Sequence, residues 1–432
     1  MYRFVNKVFT FINHYSPYFF LTPNYKSFGN CAEEIFFGLL LAEQSGRKLI
    51  LIRPCSIPFI RKLNIANKYL FDIQHKNLAN LPTIIKIVLN LLCTAYLYLL
   101  YICDGADRVF CNIVGLRYKN ISAKRIPSIG KNDLWTPSTD LKEIYDKRLL
   151  SEQITHFNNF ISPKLPNISS RNLQLELSNI GIGPDDWFVV LHAPYSKVEK
   201  NIRQVNIENY IESIKYIINK GGWVIRIGDK GSPKLPKMEK VIDYANFPKQ
   251  SKLLNLYFLE RAKFFVGATS GPSYVAHLFG AKCIGVNRTH FIHDYSFQLS
   301  ILKHVHIKKT GERLSLNQVL KSSPDSQFFE HNNDSLYSLT ENSPDEILSL
   351  IKESFDFNTK LISPSQNSFN KDLISYSERY FFSLGYPNKF EAIENSDISF
   401  YQFRALLQSP LCFARGFYGK QFLKKNYIPH KE

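Results

Sequence analysis

The chain has 432 residues, 44% of them hydrophobic, and a formal net charge of +17. That length leaves room for two domains with separate cores, and the hydrophobic content, ordinary for a soluble protein, excludes a chain too polar to fold. The charge calls for an anionic partner, whether nucleic acid, acidic lipid or an anionic substrate, while seven cysteines without close pairs exclude a disulfide framework and point to a reducing compartment.

The first twenty residues have no long apolar core and no small-residue cleavage site, so they do not read as a secretory signal. Tyr18–Leu21 is a short apolar strand. Residues 22–30 (TPNYKSFGN) are a loop, and Cys31–Ser45 is a helix with Glu33 and Glu34 in its first turn, where the helix dipole favours them. Ile35, Leu39 and Ala42 give this helix one apolar face, Gly46 ends it, and Lys48–Ile52 is the next strand. The βαβ pattern predicts a parallel sheet. Its glycine loop puts Gly29 and Asn30 at the carboxyl end of a strand, where open α/β sheets bind ligands. After an irregular polar stretch over 60–79, residues 84–102 (IIKIVLNLLCTAYLYLLYI) form an apolar run interrupted by Lys86 and Asn90. Two readings of it stay open, a buried helix and a helix lying in a membrane interface. A bilayer span needs about 20 apolar residues and would split one domain across the membrane. Residues 107–112 then read as a strand, 128–136 as a loop, 139–160 as an amphipathic helix, and the Pro-, Ser- and Asn-rich 161–171 as a linker.

A second α/β block follows. Trp187–Leu191 is a buried strand that delivers His192 to its end, and a polar loop with Lys197, Lys200 and Arg203 comes next. Ile207–Asn219 is a helix stopped by Gly221. Trp223–Ile227 is a strand containing Arg226, and Gly228 and Asp229 open the following loop. Val241–Tyr244 is a strand and Lys252–Arg261 a helix. The stretch Lys263–Asn287 (KFFVGATSGPSYVAHLFGAKCIGVN) reads strand, tight loop, short helix, strand, with Ser270 or Gly271 as cap and Pro272 at the first helical position. Thr269, Ser270 and Gly271 thus sit at a helix N-terminus just past a strand, which taken alone is either an ordinary turn between strand and helix in a parallel sheet or a seat for phosphate.

In a parallel sheet the loops at His192, Gly228 and Thr269 converge on one anion. His192 then serves as a base, as a hydrogen-bond donor, or as a structural histidine. Arg226 needs an anionic ligand, slightly the favoured reading, or Asp229 or Asp243 as partner. No Asp-x-Asp pair, E-x7-E pair, G-x-S-x-G elbow, P-loop or Cys/His metal spacing is present, and no metal is expected.

Asn201–Asp229, Leu235–Tyr244 and the KFFVGATSG stretch resemble a family of bacterial glycosyltransferases of surface-polysaccharide clusters, with an R-N-x-x-I-x-x-Y helix start, a V-I-R-x-G-D strand, an F-F-x-G strand and an S-G loop. Ser343–Ile347 is similar to the T-x-x-E-I opening of that family's later helix. Phe28-Gly29-Asn30 with the helix behind it resembles the G-x-G-N loop of fucosyltransferase-like enzymes of GT-B architecture. The resemblance implies an α/β fold of two Rossmann-like domains facing a cleft: an acceptor-side domain over 1–175, a nucleotide-sugar domain over 176–350, and a C-terminal helical extension over 351–432 that packs back. It implies a hexosyl- or deoxyhexosyltransferase, metal-independent and inverting, that needs no cofactor beyond a nucleotide-diphosphate sugar. The acceptor is a glycan or lipid-linked glycan of O-antigen or capsule type. The expected place is cytoplasmic, peripheral to the inner membrane on its anionic surface, with no nucleic acid bound. His192, Glu33 and Glu34 are the candidate catalytic residues. Arg226, Gly228, Asp229, Thr269, Ser270, Gly271, Lys197 and Arg203 are the candidate donor-binding ones, and Gly29 and Asn30 form the acceptor-side loop. Arg226→Ala and Ser270→Pro are each expected to abolish transfer and leave the fold intact. The sequence departs from the family at Pro194, where the family has an arginine. A basic nucleic-acid-binding protein, with Phe413–Tyr427 as its surface, and a sugar-nucleotide epimerase of the same architecture are the alternatives.

Overall fold

The computed structural model describes residues 16–23, 25–44, 46–55, 64–95, 98, 160–166, 175, 177–195, 202–289, 296–321, 336–357, 361–383 and 416–429. The strand expected at 107–112, the loop at 128–136, the helix at 139–159, and Lys197 and Lys200 lie outside them. The chain divides into two compact units, 1–166 and 167–432.

In the first unit, β1 (Tyr18–Leu21), α1 (Phe28–Gln44) and β2 (Lys48–Leu51) form a βαβ element. The strands pair in parallel from Tyr18 opposite Lys48 to Leu21 opposite Leu51. Ile35, Leu39 and Ala42 are fully buried on the face of α1 that covers them. Contact is closest at Gly38, where an added Cβ would lie 2.8 Å from Leu21 Cδ2, so only glycine lets helix and sheet approach this far. α1 starts three residues earlier than the sequence suggests. Cys31 N–H donates to Ser27 O at 2.9 Å, which makes Ser27, a favoured capping type, the N-cap. Gly29 and Asn30 therefore belong to the first turn rather than to a loop. That turn holds no acidic residue, so Glu33 and Glu34 fall one turn further in, beyond the strongest pull of the dipole.

Residues 83–95 form a second helix, α2. It is not the buried helix of the first reading. Ile84, Ile85, Ile87, Val88, Leu91 and Leu92 stand 46–75% exposed. Leu89 packs toward the cluster of Tyr25, Ile50, Ile52 and Cys93. Among the described residues no helix is long and apolar enough to cross a membrane.

The second unit is a doubly wound sheet. Its strands are β3 (Phe188–His192), β4 (Trp223–Ile227), β5 (Val241–Ile242), β6 (Phe264–Gly267), β7 (Lys282–Arg288), β8 (Leu299–Leu302) and β11 (Phe417–Tyr418), in the order β11-β8-β7-β6-β3-β4-β5. Every neighbouring pair is parallel. β3 and β6 are buried along their whole length, as the continuous apolar runs FVVLH and FFVG require of strands covered on both faces. On one face α3 (Ile211–Asn219) and α7 (Pro344–Asp356) press Ile214, Ile217, Ile347 and Ile351 against Val189, Leu191, Val224 and Val266. On the other, α4 (Lys252–Arg261) sets Phe258 edge-on to Phe188 with centroids 5.9 Å apart, and α5 (Gly271–Leu278) runs from β6 to β7. Ser343 and Glu346 close a reciprocal capping box at the head of α7, which fixes its start as the sequence anticipates.

Five further elements belong to the unit. β9 (His304–Ile307) and β10 (Tyr337–Thr340) pair antiparallel apart from the main sheet, and α6 (Leu316–Lys321) lies between them in the chain. α8 (Pro364–Ser383) and α9 (Lys420–Asn426) flank β11 in sequence. Phe369 stacks edge-on against Tyr418 and Tyr427, with centroids 4.7 and 5.0 Å away, so the described part of the aromatic C-terminal segment does fold back. A buried clasp ties β7 to the start of α7. Asn287 N–H donates to Asn342 Oδ1 at 2.7 Å, and Asn342 N–H donates to Asn287 Oδ1 at 2.6 Å. Asn287 reaches this geometry at φ +54°, a left-handed conformation that asparagine tolerates better than most side chains.

Candidate active site

Chain order and sheet order together locate the candidate site. From β3 the chain moves outward to β4 and β5, then returns to place β6 on the other side of β3. The loops leaving β3 and β6 therefore diverge, and a crevice opens between the carboxyl ends of these strands; open α/β sheets bind their ligands at such a switch point. His192 pairs with Gly267 across it. A Cβ at Gly267 would come within 2.8 Å of His192 O, so the glycine is what permits this approach.

His192 Nδ1 and Ser270 Oγ are 3.0 Å apart. The imidazole is 9% exposed. Burial, and then the neighbouring Arg226 charge, push its pKa down to about 4, so it is neutral at physiological pH and a weak base. A neutral ring offers two arrangements. With Nδ1 accepting from Ser270 it presents Nε2–H, and with Nδ1–H donating it presents a bare Nε2.

Ser270 occupies the N-cap of α5 with φ −163°, yet its side chain caps no backbone N–H; it faces His192 instead. The helix N-terminus offers fewer donors than the sequence suggests. Gly271, not Pro272, is the first helical residue, Pro272 has no N–H, and Ser273 N–H is already given to Ser270 O at 3.1 Å. In the first turn that leaves the Gly271 N–H to face a ligand. Thr269 beside it is buried.

Arg226 is 1% exposed. Its Nη1 donates to Pro233 O and to Asp243 Oδ1, the latter at 3.4 Å. Asp243 also accepts from Leu235 N–H at 3.1 Å and Asn246 Nδ2 at 2.8 Å through its other oxygen. The partner of Arg226 is thus Asp243, one of the two side chains the sequence offers for it. Burial lowers the Arg226 pKa and Asp243 opposes the shift. Nε is buried without a hydrogen-bond partner, so the guanidinium remains under-satisfied. Asp229 is exposed, and its carbonyl accepts from Ser232 Oγ at 2.7 Å; it closes the turn after Gly228. Arg203 is exposed, and Gly228 is half-buried. Glu33 is buried and Glu34 half-buried in α1, in the unit that also holds Gly29 and Asn30.

The sequence did not single out the cavity beside Arg226. It measures about 180 Å3 and is lined by Ala193, Tyr195, Gln204, Asn206, Arg226 and Glu341, among others. Both Glu341 oxygens accept from Asn206 N–H, at 3.0 and 2.8 Å, and Oε2 accepts from Asn209 Nδ2 at 3.1 Å. That carboxylate therefore sits on the N-terminus of the 3-10 turn Ile207–Tyr210, where the dipole favours it. Lys303, also buried, donates to Gln204 O at 2.7 Å behind the wall. Nothing in TENSP announces Glu341 as more than the approach to a capped helix. Pro194, the departure from the family pattern, accepts from Val205 N–H at 3.2 Å and closes the base of its loop. Among the described residues no group of three or more His, Cys, Asp or Glu is placed to hold a metal.

No family model matches the chain, and no curated protein matches it. Among solved structures the chain is similar to the crystal structure of the glycosyl transferase family 9 from Veillonella parvula DSM 2008, at 13% identity and a TM-score of 0.27, over 44% of this chain and 53% of that one. The chain thus matches about half the length of that structure, and the fold rests on the strand order and registers of its own sheet.

Proposed function

We propose that the chain is a glycosyltransferase that moves a sugar from a nucleotide-diphosphate donor to a glycan acceptor. One observation carries the reading: the switch point of an all-parallel sheet is bordered by a neutral imidazole, a serine hydroxyl and the Gly271 N–H, with a buried and under-satisfied guanidinium one strand away. A departing diphosphate gathers charge on oxygens that need fixed donors in a dry setting. In this reading Ser270, Gly271 and Thr269 take the diphosphate with His192 as neutral donor, and Arg226 supplies positive charge from behind. Gly228 leaves room at the end of β4, and Lys197 and Arg203 are the cations that the sequence after β3 offers to the phosphates. The cavity holds the ribose, whose hydroxyls donate to Glu341, a role that acidic residues play in other doubly wound nucleotide sites.

The transfer is a single displacement with inversion. An acceptor oxygen bonds to the anomeric carbon, the bond from that carbon to the phosphate oxygen breaks, and the electron pair leaves on the nucleotide. The acceptor proton goes to a general base; an imidazole held down to about 4 makes His192 a weak one, and Glu33 and Glu34 are the other candidates for that role, with Gly29 and Asn30 on the acceptor side. The acceptor class is a surface glycan of O-antigen or capsule type, reached from the cytoplasmic side without a metal.

The test is a thermal-shift screen of UDP, GDP, ADP and their sugars, followed by donor turnover. One nucleotide is expected to raise the unfolding temperature by mass action. Ser270→Ala is expected to lower turnover about a hundredfold, on the scale of one lost oxyanion donor. No shift with any nucleotide, or full turnover by Ser270→Ala, overturns the assignment. Release of an altered or free sugar without acceptor identifies an epimerase instead.

A further inference from the structure

Past the carboxyl end of β4, residues 232–238 belong to neither helix nor strand. Their conformation is nonetheless fixed. Pro233 and Pro236 lock their own φ, and each bars the residue before it, Ser232 or Leu235, from the helical region. Burial then recurs every third residue: Ser232 and Leu235 are buried, and Met238 and Val241 half-buried. That is the period of a polyproline-type screw with one row against the protein. Leu235, Met238 and Val241 pack in the main core cluster. Hydrogen bonds pin the same row, because Ser232 Oγ donates to Asp229 O at 2.7 Å and Leu235 N–H to Asp243 Oδ2 at 3.1 Å. Pro233 O accepts from the buried Arg226, and Pro233 lines the cavity beside it.

One of the two outward rows carries charge. Lys234 and Lys237 are successive members of it, about 9 Å apart along such a screw, and Lys230 precedes them at the turn. All three are exposed. Residues 230–238 (KGSPKLPKM) contain no acidic residue, and no described carboxylate pairs with any of the three lysines. Cations spaced along a stiffened backbone suit a partner with anions at intervals, since little backbone freedom is lost when it binds. What the segment lacks says which polyanion this is. A nucleic-acid strand needs aromatic side chains for its bases to stack on, and residues 230–238 have none. A lipid surface needs large apolar side chains exposed beside the charge, whereas Leu235 and Met238 face the core. A glycan bearing carboxylates needs neither. Its backbone is polar, and two sugar units advance about as far as three extended residues.

We propose that the lysine row of residues 230–238 seats a carboxylate-bearing glycan, so that the acceptor of the transfer is an acidic glycan. That the partner is an acceptor rests on the sugar-transfer reading; the row itself does not.

The experiment is calorimetric titration of the full chain with hexagalacturonate, and with maltohexaose as the neutral probe. Hexagalacturonate is expected to bind at least tenfold more tightly, and to weaken as salt is raised to about 0.5 M. Lys234→Gln with Lys237→Gln alters two exposed side chains; it is expected to keep the thermal midpoint and the nucleotide-induced shift, and to bind hexagalacturonate about fivefold more weakly. Lys234→Arg with Lys237→Arg is expected to bind as the wild type does. Lys309→Gln with Lys424→Gln, which removes the same charge at two other exposed positions, is expected to leave binding unchanged. If the first pair moves the midpoint, Lys237→Gln alone makes the same comparison. The proposal is overturned if hexagalacturonate binds no better than maltohexaose, if the folded glutamine variants at 234 and 237 bind it as the wild type does, or if the pair at 309 and 424 weakens it equally. It is also overturned if the pair at 234 and 237 weakens binding of a thymidine oligonucleotide and not of hexagalacturonate. A chain that responds to a nucleotide but fails these tests loses only this inference. One that binds hexagalacturonate through the row and responds to no nucleotide loses the transfer reading instead.

Discussion

Replacing His192 by asparagine should remove a defined part of the acid sensitivity of the second unit. The folded imidazole is held to about 4 against an ordinary 6.5, first by burial and then by Arg226. The folded value lies below the unfolded one, so the folded state binds fewer protons throughout this window. Stability is therefore complete above 6.5, falls as pH drops toward 4, and levels off below that. Each pH unit in the window costs about 1.4 kcal/mol, so a drop from near pH 8 to about pH 5 removes about 2 kcal/mol through this group alone. Asparagine keeps a polar atom near the position of Nδ1, and so a partner for Ser270, but does not titrate. Urea unfolding followed by tryptophan fluorescence suits the measurement, because Trp187 and Trp223 adjoin and begin β3 and β4. The wild type should lose about 2 kcal/mol more than His192→Asn between the two pH values. Equal losses in the two proteins, to within about 0.5 kcal/mol, would refute the argument that the imidazole is buried neutral.

Substitutions at two further positions probe the frame around the site. Asn287→Ala should cost about 3 kcal/mol, from backbone strain at positive φ and from the buried Asn342 N–H left unpaired; Asn287→Gly should recover about 1 kcal/mol of this in urea denaturation, and equal losses would show that φ is not the cause. Arg226→Ala should lower stability by about 2 kcal/mol or more, because Pro233 O and Asp243 lose their shared donor; an unchanged urea midpoint would refute this.

These magnitudes also correct the expectation that Arg226→Ala and Ser270→Pro leave the fold intact. Arg226 is a buried strand residue that holds the Pro233 turn, so its loss of turnover alone would not identify a ligand. Ser270 stands at φ −163°, which the proline ring excludes, so proline there rebuilds the loop. Ser270→Ala is the cleaner variant.

What was legible in the sequence was local. Lys252–Arg261 and Trp223–Ile227 appear with the expected bounds because their periodicity and flanking glycines or caps lie within a few residues. The head of α1 was misplaced because Gly29 reads as a loop glycine, although Ser27 two residues earlier carries the capping signal. Partners far apart in the chain left no trace. Asn287 and Asn342 are separated by 55 residues, and neither has a neighbour that announces the clasp. Glu341 is hidden in the same way, since it meets Asn206 only once β10 is in place. The outward turn of α2 was beyond pattern reading, because an apolar run looks the same whether the core or another phase covers it.

The short strand β11 has a consequence for synthesis. Phe417 and Tyr418 lie alongside Leu299 and Ser300, more than a hundred residues upstream. As the chain leaves the ribosome, the flank of β8 therefore waits with its amide and carbonyl row uncovered while the intervening segment is made. A nascent chain halted before residue 417 presents that row to any passing strand. Ribosome-bound intermediates of this protein should call on chaperones until residues 417 and 418 have emerged, rather than only until the other strands of the sheet have closed their core.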